Sequence, residues 1–216
     1  MRDRWVILDV GETLVDETRV FHTWAEIFAI PNVTLMAVLG ASIAKSQDSD
    51  QWRGFFELIG QPEWRAQQPA FEEHYGDLRA SDLYPDAIRS IEGLKAAGYH
   101  VAITANQPAR RHAELEAIGV KVEAMAMSDA MGVGKPDQAF FRRTLELIGS
   151  PDPAAVAYVG DRVDNDVEPS AAAGMRAVWI RRGPWGFLHE DHEGRAHLVV
   201  RTLDELVERI GEAWPD

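Results

Sequence analysis

Cysteine is absent from this chain, which excludes disulfides, thiolate nucleophiles and cysteine-ligated zinc. No run of about 18 apolar residues occurs, so no stretch has the length and composition of a membrane-spanning helix. The opening MRDRWVILDVGE has only a short apolar stretch before acids follow, unlike an export signal, and the cytoplasm is the expected location. Basic residues are also scarce. Against 35 Asp and Glu there are 22 Lys and Arg, a net charge of −13. Nucleic acid is thereby excluded as a main partner, because phosphate backbones need a basic surface. The acidity favours solubility. An acidic protein that handles anionic phosphates needs a local cation, supplied by a metal or by a few basic side chains.

What is present is the composition of an ordinary globular protein. Of 216 residues, 46% are apolar and 26% charged, enough for one large domain or a core with an insertion. Five short apolar runs, at 5–8, 100–103, 122–127, 155–159 and 176–180, predict strands. The third, VEAMAM, has Ala and Met that suit a helix equally well. Helical spacing fills 86–97, 109–118, 137–148, 165–173 and 202–210, the first four each ending at a glycine. Thr202 and Glu205 are spaced as a capping box. Strand then helix, repeated, predicts a parallel sheet covered on both faces. Between about 16 and 82 that rhythm stops. Helical stretches at 18–29, 34–44, 51–59 and 69–79 predict a helical cap of residues 16–82, inserted into a core of residues 1–15 and 83–216.

Sites in open parallel sheets lie beyond the C-terminal strand ends, so the residues after each run carry the functional reading. Asp9 follows the first, with a Gly11 turn and Thr13 behind it. A carboxylate there is either a nucleophile able to form an aspartyl-phosphate or a turn-forming Asp. Thr104 and Asn106 follow the second, as donors for phosphoryl oxygens or as a helix cap. The third leads to MGVGKPD, whose Lys135 can face a dianion; the spacing is not that of a P-loop. After the fourth comes VGDRVDND, with three aspartates, Asp161, Asp164 and Asp166, within six positions. These read as a Mg²⁺ site or as an acidic turn, and the downstream Glu of a calcium loop is missing.

In this order the residues resemble the haloacid dehalogenase superfamily. That family has an apolar strand ending in Asp-x-Asp-x-Thr, a strand ending in Ser or Thr, a Lys before a helix, and Gly-Asp-x-x-x-x-Asp. Here these are residues 9–13, the 104–106 region, Gly134-Lys135-Pro136-Asp137, and Gly160-Asp161 through Asp166. The resemblance implies a three-layer, Rossmann-like α/β fold, a parallel sheet with a helical C1 cap after the first strand. It implies a hydrolase, monomeric or homodimeric, acting on a small phosphorylated metabolite. Asp9 would attack phosphorus, and Lys135 would neutralise charge between nucleophile and phosphoryl group. Thr104 and Asn106 would bind the phosphate. Mg²⁺ would be held by Asp9, Asp161 and the backbone carbonyl of Gly11, supported by Asp166 and by Asp164.

Two departures stand out. The family's phosphatases carry a second Asp two residues after the nucleophile, as a proton donor and acceptor, where this chain has Gly11. Adjacent Glu12 should point the other way if the chain is extended. At the second strand end, Ala105 stands where the family's Ser or Thr would be if Asn106 is the anchor, and Thr104 then points into the core. These departures keep open a catalytically weakened member that binds a phosphorylated ligand or a protein partner, and two other family chemistries. One is halide displacement without a metal. The other is phosphonate cleavage through a cap lysine, for which Lys45 is the one candidate. The cap tryptophans Trp24, Trp52 and Trp64 line a pocket or form a core, and His22 and His74 are surface groups or acid–base groups. Arg181 and Arg182 border the site or pair with acids.

Overall fold

The computed structural model describes residues 3–45, 51–192 and 194–215, except the side chains of residues 51–53. Six parallel strands, β1 (Trp5–Leu8), β2 (His100–Ala105), β3 (Ala124–Met127), β4 (Val156–Gly160), β5 (Arg176–Ile180) and β6 (Leu198–Val200), form one sheet. Their order is β3-β2-β1-β4-β5-β6. The third apolar run is therefore a strand, shorter than expected, and β6 is a strand that the sequence reading did not contain. At three residues, with Val199 exposed, β6 is an edge that shows little periodicity.

Burial explains why the inner strands read as continuous apolar runs rather than alternating ones. A parallel sheet is covered on both faces, so every position along a central strand is dry. Val6, Ile7 and Leu8 are all fully buried, but alternate side chains go to different cores. Val6 and Leu8 join Val101, Ile103 and Val159 on one face. Ile7 joins Ala102, Tyr158, Phe140 and Phe141 on the other.

The helices follow in chain order. α1 (Thr18–Ile27), α2 (Asn32–Lys45), α3 (Gln51–Leu58) and α4 (Gln68–Tyr75) lie between β1 and the rest of the sheet. α5 (Ala87–Ala96) leads into β2, α6 (Arg111–Ala117) into β3, and α7 (Ser128–Met131) and α8 (Gln138–Leu147) into β4. α9 (Glu168–Ala172), α10 (Gly183–Leu188) and α11 (Leu203–Arg209) complete the chain. The Asp137 side chain caps α8 by accepting from the Ala139 N–H at 2.7 Å. In α11 the Thr202 hydroxyl accepts from the Glu205 N–H, while the Glu205 carboxylate reaches the Arg201 N–H, one residue short of a complete capping box.

The helices between β1 and Leu83 have a core of their own. Phe21 and Trp24 of α1, Leu35 and Leu39 of α2, Phe55 and Phe56 of α3, and Phe71 and Tyr75 of α4 pack together, joined by Trp185 of α10. Trp24 stacks on Phe71 at 4.5 Å and Phe56 on Trp64 at 4.4 Å. The chain enters and leaves this insert side by side. The Asp16 N–H donates to the Asp82 carbonyl at 2.8 Å, and Arg19 pairs with the buried Asp82 carboxylate. No single helix among the described residues is long and apolar enough to cross a membrane. The apolar pair α1 and α2 bends by 112°.

Candidate active site

Register places the site. Leu8, the last residue of β1, is paired with Ile103 on one side and Val159 on the other, so β2 and β4 run one or two residues beyond the level where β1 ends. The chain runs outward from β1 through β2 to β3, then crosses back to β4, and the crevice where that order reverses opens beyond these ends. A cavity of about 440 Å³ lies there, floored by Asp9, Gly11, Lys135 and Asp161 and bounded by Glu12, Glu17, Asn106, Arg65 and Trp185. Its volume suits a small metabolite. A larger cavity, about 690 Å³, lies at the opposite strand ends beside Arg4 and Trp214, where no carboxylate cluster is found among the described residues.

The floor is a buried charge cluster. Asp9 is fixed by its own N–H, which donates to the Val159 carbonyl at 2.9 Å. The Lys135 ammonium lies 2.8 Å from Asp9 Oδ1 and 2.6 Å from Asp166 Oδ1. Asp166 Oδ2 accepts from the Arg162 N–H at 2.9 Å. This bond forms because the chain folds back as a π-helical turn, Val163–Val167, directly after β4. Gly160 is required by the same turn, since a Cβ there would stand 2.3 Å from the Asp166 carboxyl. One carboxylate oxygen each from Asp9, Asp161 and Asp166 lie within 4.8 Å of one another.

Such crowding has electrostatic consequences. Burial, then repulsion from Asp166 and Asp9, pushes Asp161 well above the ordinary carboxylate range. Burial also raises Asp9, although Lys135 opposes it. Burial works against the Lys135 charge, but Asp166 and Asp9 hold the ammonium protonated well above the ordinary lysine range. Asp161 Oδ2 and Asn165 Oδ1 are buried with no hydrogen-bond partner among the described residues. Unpartnered buried oxygens beside three carboxylates form a hard, all-oxygen donor set, which fits a small divalent cation.

Several expected site residues act otherwise. Thr104 is fully buried and does not reach the cavity. Its Oγ1 bonds to Thr144 Oγ1 at 3.1 Å, beneath β2, because the side chain faces the α8 side of the sheet. Thr104 is therefore a core residue, the orientation that taking Asn106 as the anchor implied. Asn106 does line the cavity, but its amide is used on the backbone of the lysine loop. Nδ2 donates to the Lys135 carbonyl at 2.9 Å and Oδ1 accepts from the Lys135 N–H at 2.7 Å. Asn106 thereby positions Lys135. Asp164 pairs with the Arg162 guanidinium and stays outside the three-carboxylate cluster. Lys45, at the end of α2, is exposed and does not line the cavity. His22 is exposed, and exposed His74 pairs with Glu26 at 2.7 Å. Arg182 turns inward to Asp86, 2.6 Å away, and Arg181 donates to the Gly186 carbonyl. Trp24 is an insert core residue and Trp64 packs partly buried against that core; the side chain of Trp52 lies outside the described residues.

Two acids flank the turn that follows Asp9. Glu12 has a left-handed backbone, φ 49°, so the chain is coiled rather than extended there and Glu12 does border the cavity. Both of its oxygens are engaged, one by the Tyr84 hydroxyl and one by the Glu17 N–H at 3.2 Å. Burial pushes Glu12 up to about 7. Glu17, from just before α1, projects back over Gly11. Burial, then repulsion from Glu12 and Asp9, pushes it up to about 8. The sequence carried no signal for Glu17, Arg65 or Trp185, because none lies at a strand end.

A parallel sheet whose first strand ends in a buried Asp, with a buried lysine and an acidic turn after β4, is the arrangement of a known class of hydrolase, and the comparisons identify it. The haloacid dehalogenase-like hydrolase family model matches residues 4–174, and the chain belongs to that family. It is 31% identical over 200 residues to a phosphoserine phosphatase of Thermus thermophilus, covering 86% of this chain and 77% of that protein. A HAD phosphatase structure from Thermococcus onnurineus matches with a TM-score of 0.62 at 24% identity, covering 97% of this chain and 98% of the other. A 2-haloacid dehalogenase structure from Pseudomonas syringae pv. Tomato matches with a TM-score of 0.60 at 21% identity, over 97% and 98%. At those identities both structural likenesses concern the fold alone.

Proposed function

We propose that this hydrolase is a Mg²⁺-dependent phosphatase of a small phosphorylated metabolite, with Asp9 as the nucleophile. The observation that carries the reading is the buried cluster of Asp9, Asp161 and Asp166, bridged by Lys135 on the cavity floor. Asp9, Asp161 and Asp166 would hold the ion, which when bound neutralises phosphoryl charge and so favours in-line displacement. Lys135 supplies a second, permanent positive charge at the same place. An Asp9 oxygen attacks phosphorus and forms an aspartyl-phosphate, which water then hydrolyses. Asn106 holds the lysine loop in position, and the helical insert, residues 16–82, caps the cavity and selects the leaving group. The phosphatase relative supports this substrate class. Cytoplasmic placement and a monomeric or dimeric state belong to the same proposal, tested by fractionation and sedimentation.

Gly11 favours a second reading, hydrolysis of a carbon–halogen bond, because displacement of halide needs no proton donor at that position. The acid cluster weighs against it, since a carbon–halogen bond offers no oxygens for a cation to neutralise. A panel of phosphorylated metabolites with Mg²⁺, run beside 2-haloacids, separates the two. Release of phosphate that is lost in Asp9→Asn supports the first. Halide release without phosphate release overturns it.

A further inference from the structure

We propose that Glu17 is the proton-transfer group of this active site, reaching from the entrance of the insert into the space that Gly11 leaves vacant. This rests on the phosphatase reading above. Ester hydrolysis with an alkoxide leaving group needs a proton at the departing oxygen, and supplying it is worth about 10²–10⁴-fold. The residue two positions beyond the nucleophile has no side chain to provide it. Instead, a Cβ on Gly11 would lie 2.6 Å from Glu17 Oε1 and 3.0 Å from its carboxyl carbon. The Glu17 carboxyl therefore occupies the volume that a side chain at residue 11 would fill, and it lines the same cavity as Asp9.

Its tether is rigid. The Glu17 N–H donates to Glu12 Oε1 at 3.2 Å, the Asp16 N–H is bonded to the Asp82 carbonyl, and the Glu17 carbonyl accepts from the Phe21 N–H. The carboxyl itself forms no hydrogen bond among the described residues, whereas both Glu12 oxygens are taken. Glu17 is thus the acid whose oxygens are left for substrate.

In the first step an Asp9 oxygen bonds to phosphorus, the phosphorus–oxygen ester bond breaks, and its electron pair takes the Glu17 proton. The alcohol leaves, with Asp9 phosphorylated and Glu17 a carboxylate. In the second, water bonds to phosphorus and gives a proton to Glu17 while the bond to Asp9 breaks. This releases inorganic phosphate and restores both acids.

The test compares leaving groups. With glycerol phosphate and Mg²⁺, Glu17→Gln should lower kcat by about 10²–10⁴-fold with KM little changed. With p-nitrophenyl phosphate, whose leaving group needs no proton, the same variant should release about one equivalent of nitrophenol per site and then stall, holding radiolabelled phosphate on the protein. Loss of mere structural support would give no burst. If Glu17→Gln does not fold, the pair Glu17→Ala and Gly11→Asp/Glu17→Ala decides. The double variant, in which the clash is gone and a carboxyl returns from residue 11, should recover at least about tenfold in kcat over Glu17→Ala. Wild-type kcat in Glu17→Gln, or no recovery in the double variant when that pair decides, overturns the assignment of Glu17 alone. A wild-type chain that hydrolyses no phosphate compound and takes up no label overturns the phosphatase reading beneath it.

Discussion

The floor and the roof of the cavity are built by different physics. On the floor, Asp9 and Asp166 are buried charges each held within 2.8 Å of the Lys135 ammonium by strand ends and a tight turn. In the roof, the insert, Arg65 reaches the cavity from an exposed position on a 3-10 turn, and behind it Trp24, Phe56, Trp64 and Phe71 stack as an aromatic layer that does not itself line the cavity. Charges on the floor interact strongly because they are buried, and they depend on positions fixed by the sheet. Contacts in the roof are non-directional and tolerate rearrangement. The floor concentrates charge at fixed positions, and the roof is a packed layer that can rearrange.

Substitutions that act on one layer only should break or sharpen this contrast. The largest effect belongs to Asp9→Asn, expected to lower kcat at least about 10⁴-fold in the phosphatase assay while the chain stays folded by circular dichroism. Removing a carboxylate from a crowded acidic cluster relieves repulsion, so a variant that instead unfolds would show the floor to be structural. Next is Trp24→Ala. It should cost about 3–5 kcal/mol in the insert, read as a separate early transition in urea, and raise KM more than it lowers kcat. An equal loss across the whole chain would mean that floor and roof unfold as one.

The link between the layers gives a smaller, pH-dependent effect. Burial opposes the Asp82 charge, but the Arg19 and Arg79 bonds outweigh it and hold Asp82 below the ordinary carboxylate range. A depressed folded value means stability that is present above the unfolded value of about 3.8 and lost as pH falls through the folded one. Asp82→Asn should therefore destabilise by about 1.5–3 kcal/mol near neutrality, a gap that closes below about pH 4 in urea titrations. A gap independent of pH would remove the ion pair from the argument. The smallest effect is Thr104→Val. It should leave kcat and KM unchanged and cost about 1 kcal/mol, because the hydroxyl bonds Thr144 within the core. A rise in KM for phosphate would return Thr104 to the site.

Much of this arrangement was legible along the chain, and the reasons are local. Strands β1, β2, β4 and β5 are apolar runs, and in a parallel sheet whatever follows such a run arrives at the site. Asp9, Asp161 and Asp166 were readable for that reason, and Lys135 from the glycine-rich loop beyond the third run. The insert was readable as helices interrupting an alternation. The face that Thr104 takes stayed open because one residue of phase along a strand reverses the face, and phase comes from the partner strands. The edge strand β6 was missed because three residues carry almost no period. Glu17 was invisible because it enters the site from the far side of a turn.

The sequence alone determined the strand-end part of the site: Asp9, Asp161, Asp166, Lys135, and the absence of a side chain at Gly11. It did so because strand-end position follows from hydrophobic pattern, and pattern is a local property. Only the tertiary structure decided what surrounds Gly11. The volume over that residue is filled by a group six positions away, brought there because the chain enters the insert beside the point where it leaves, and close packing gives the gap to whichever side chain the fold delivers.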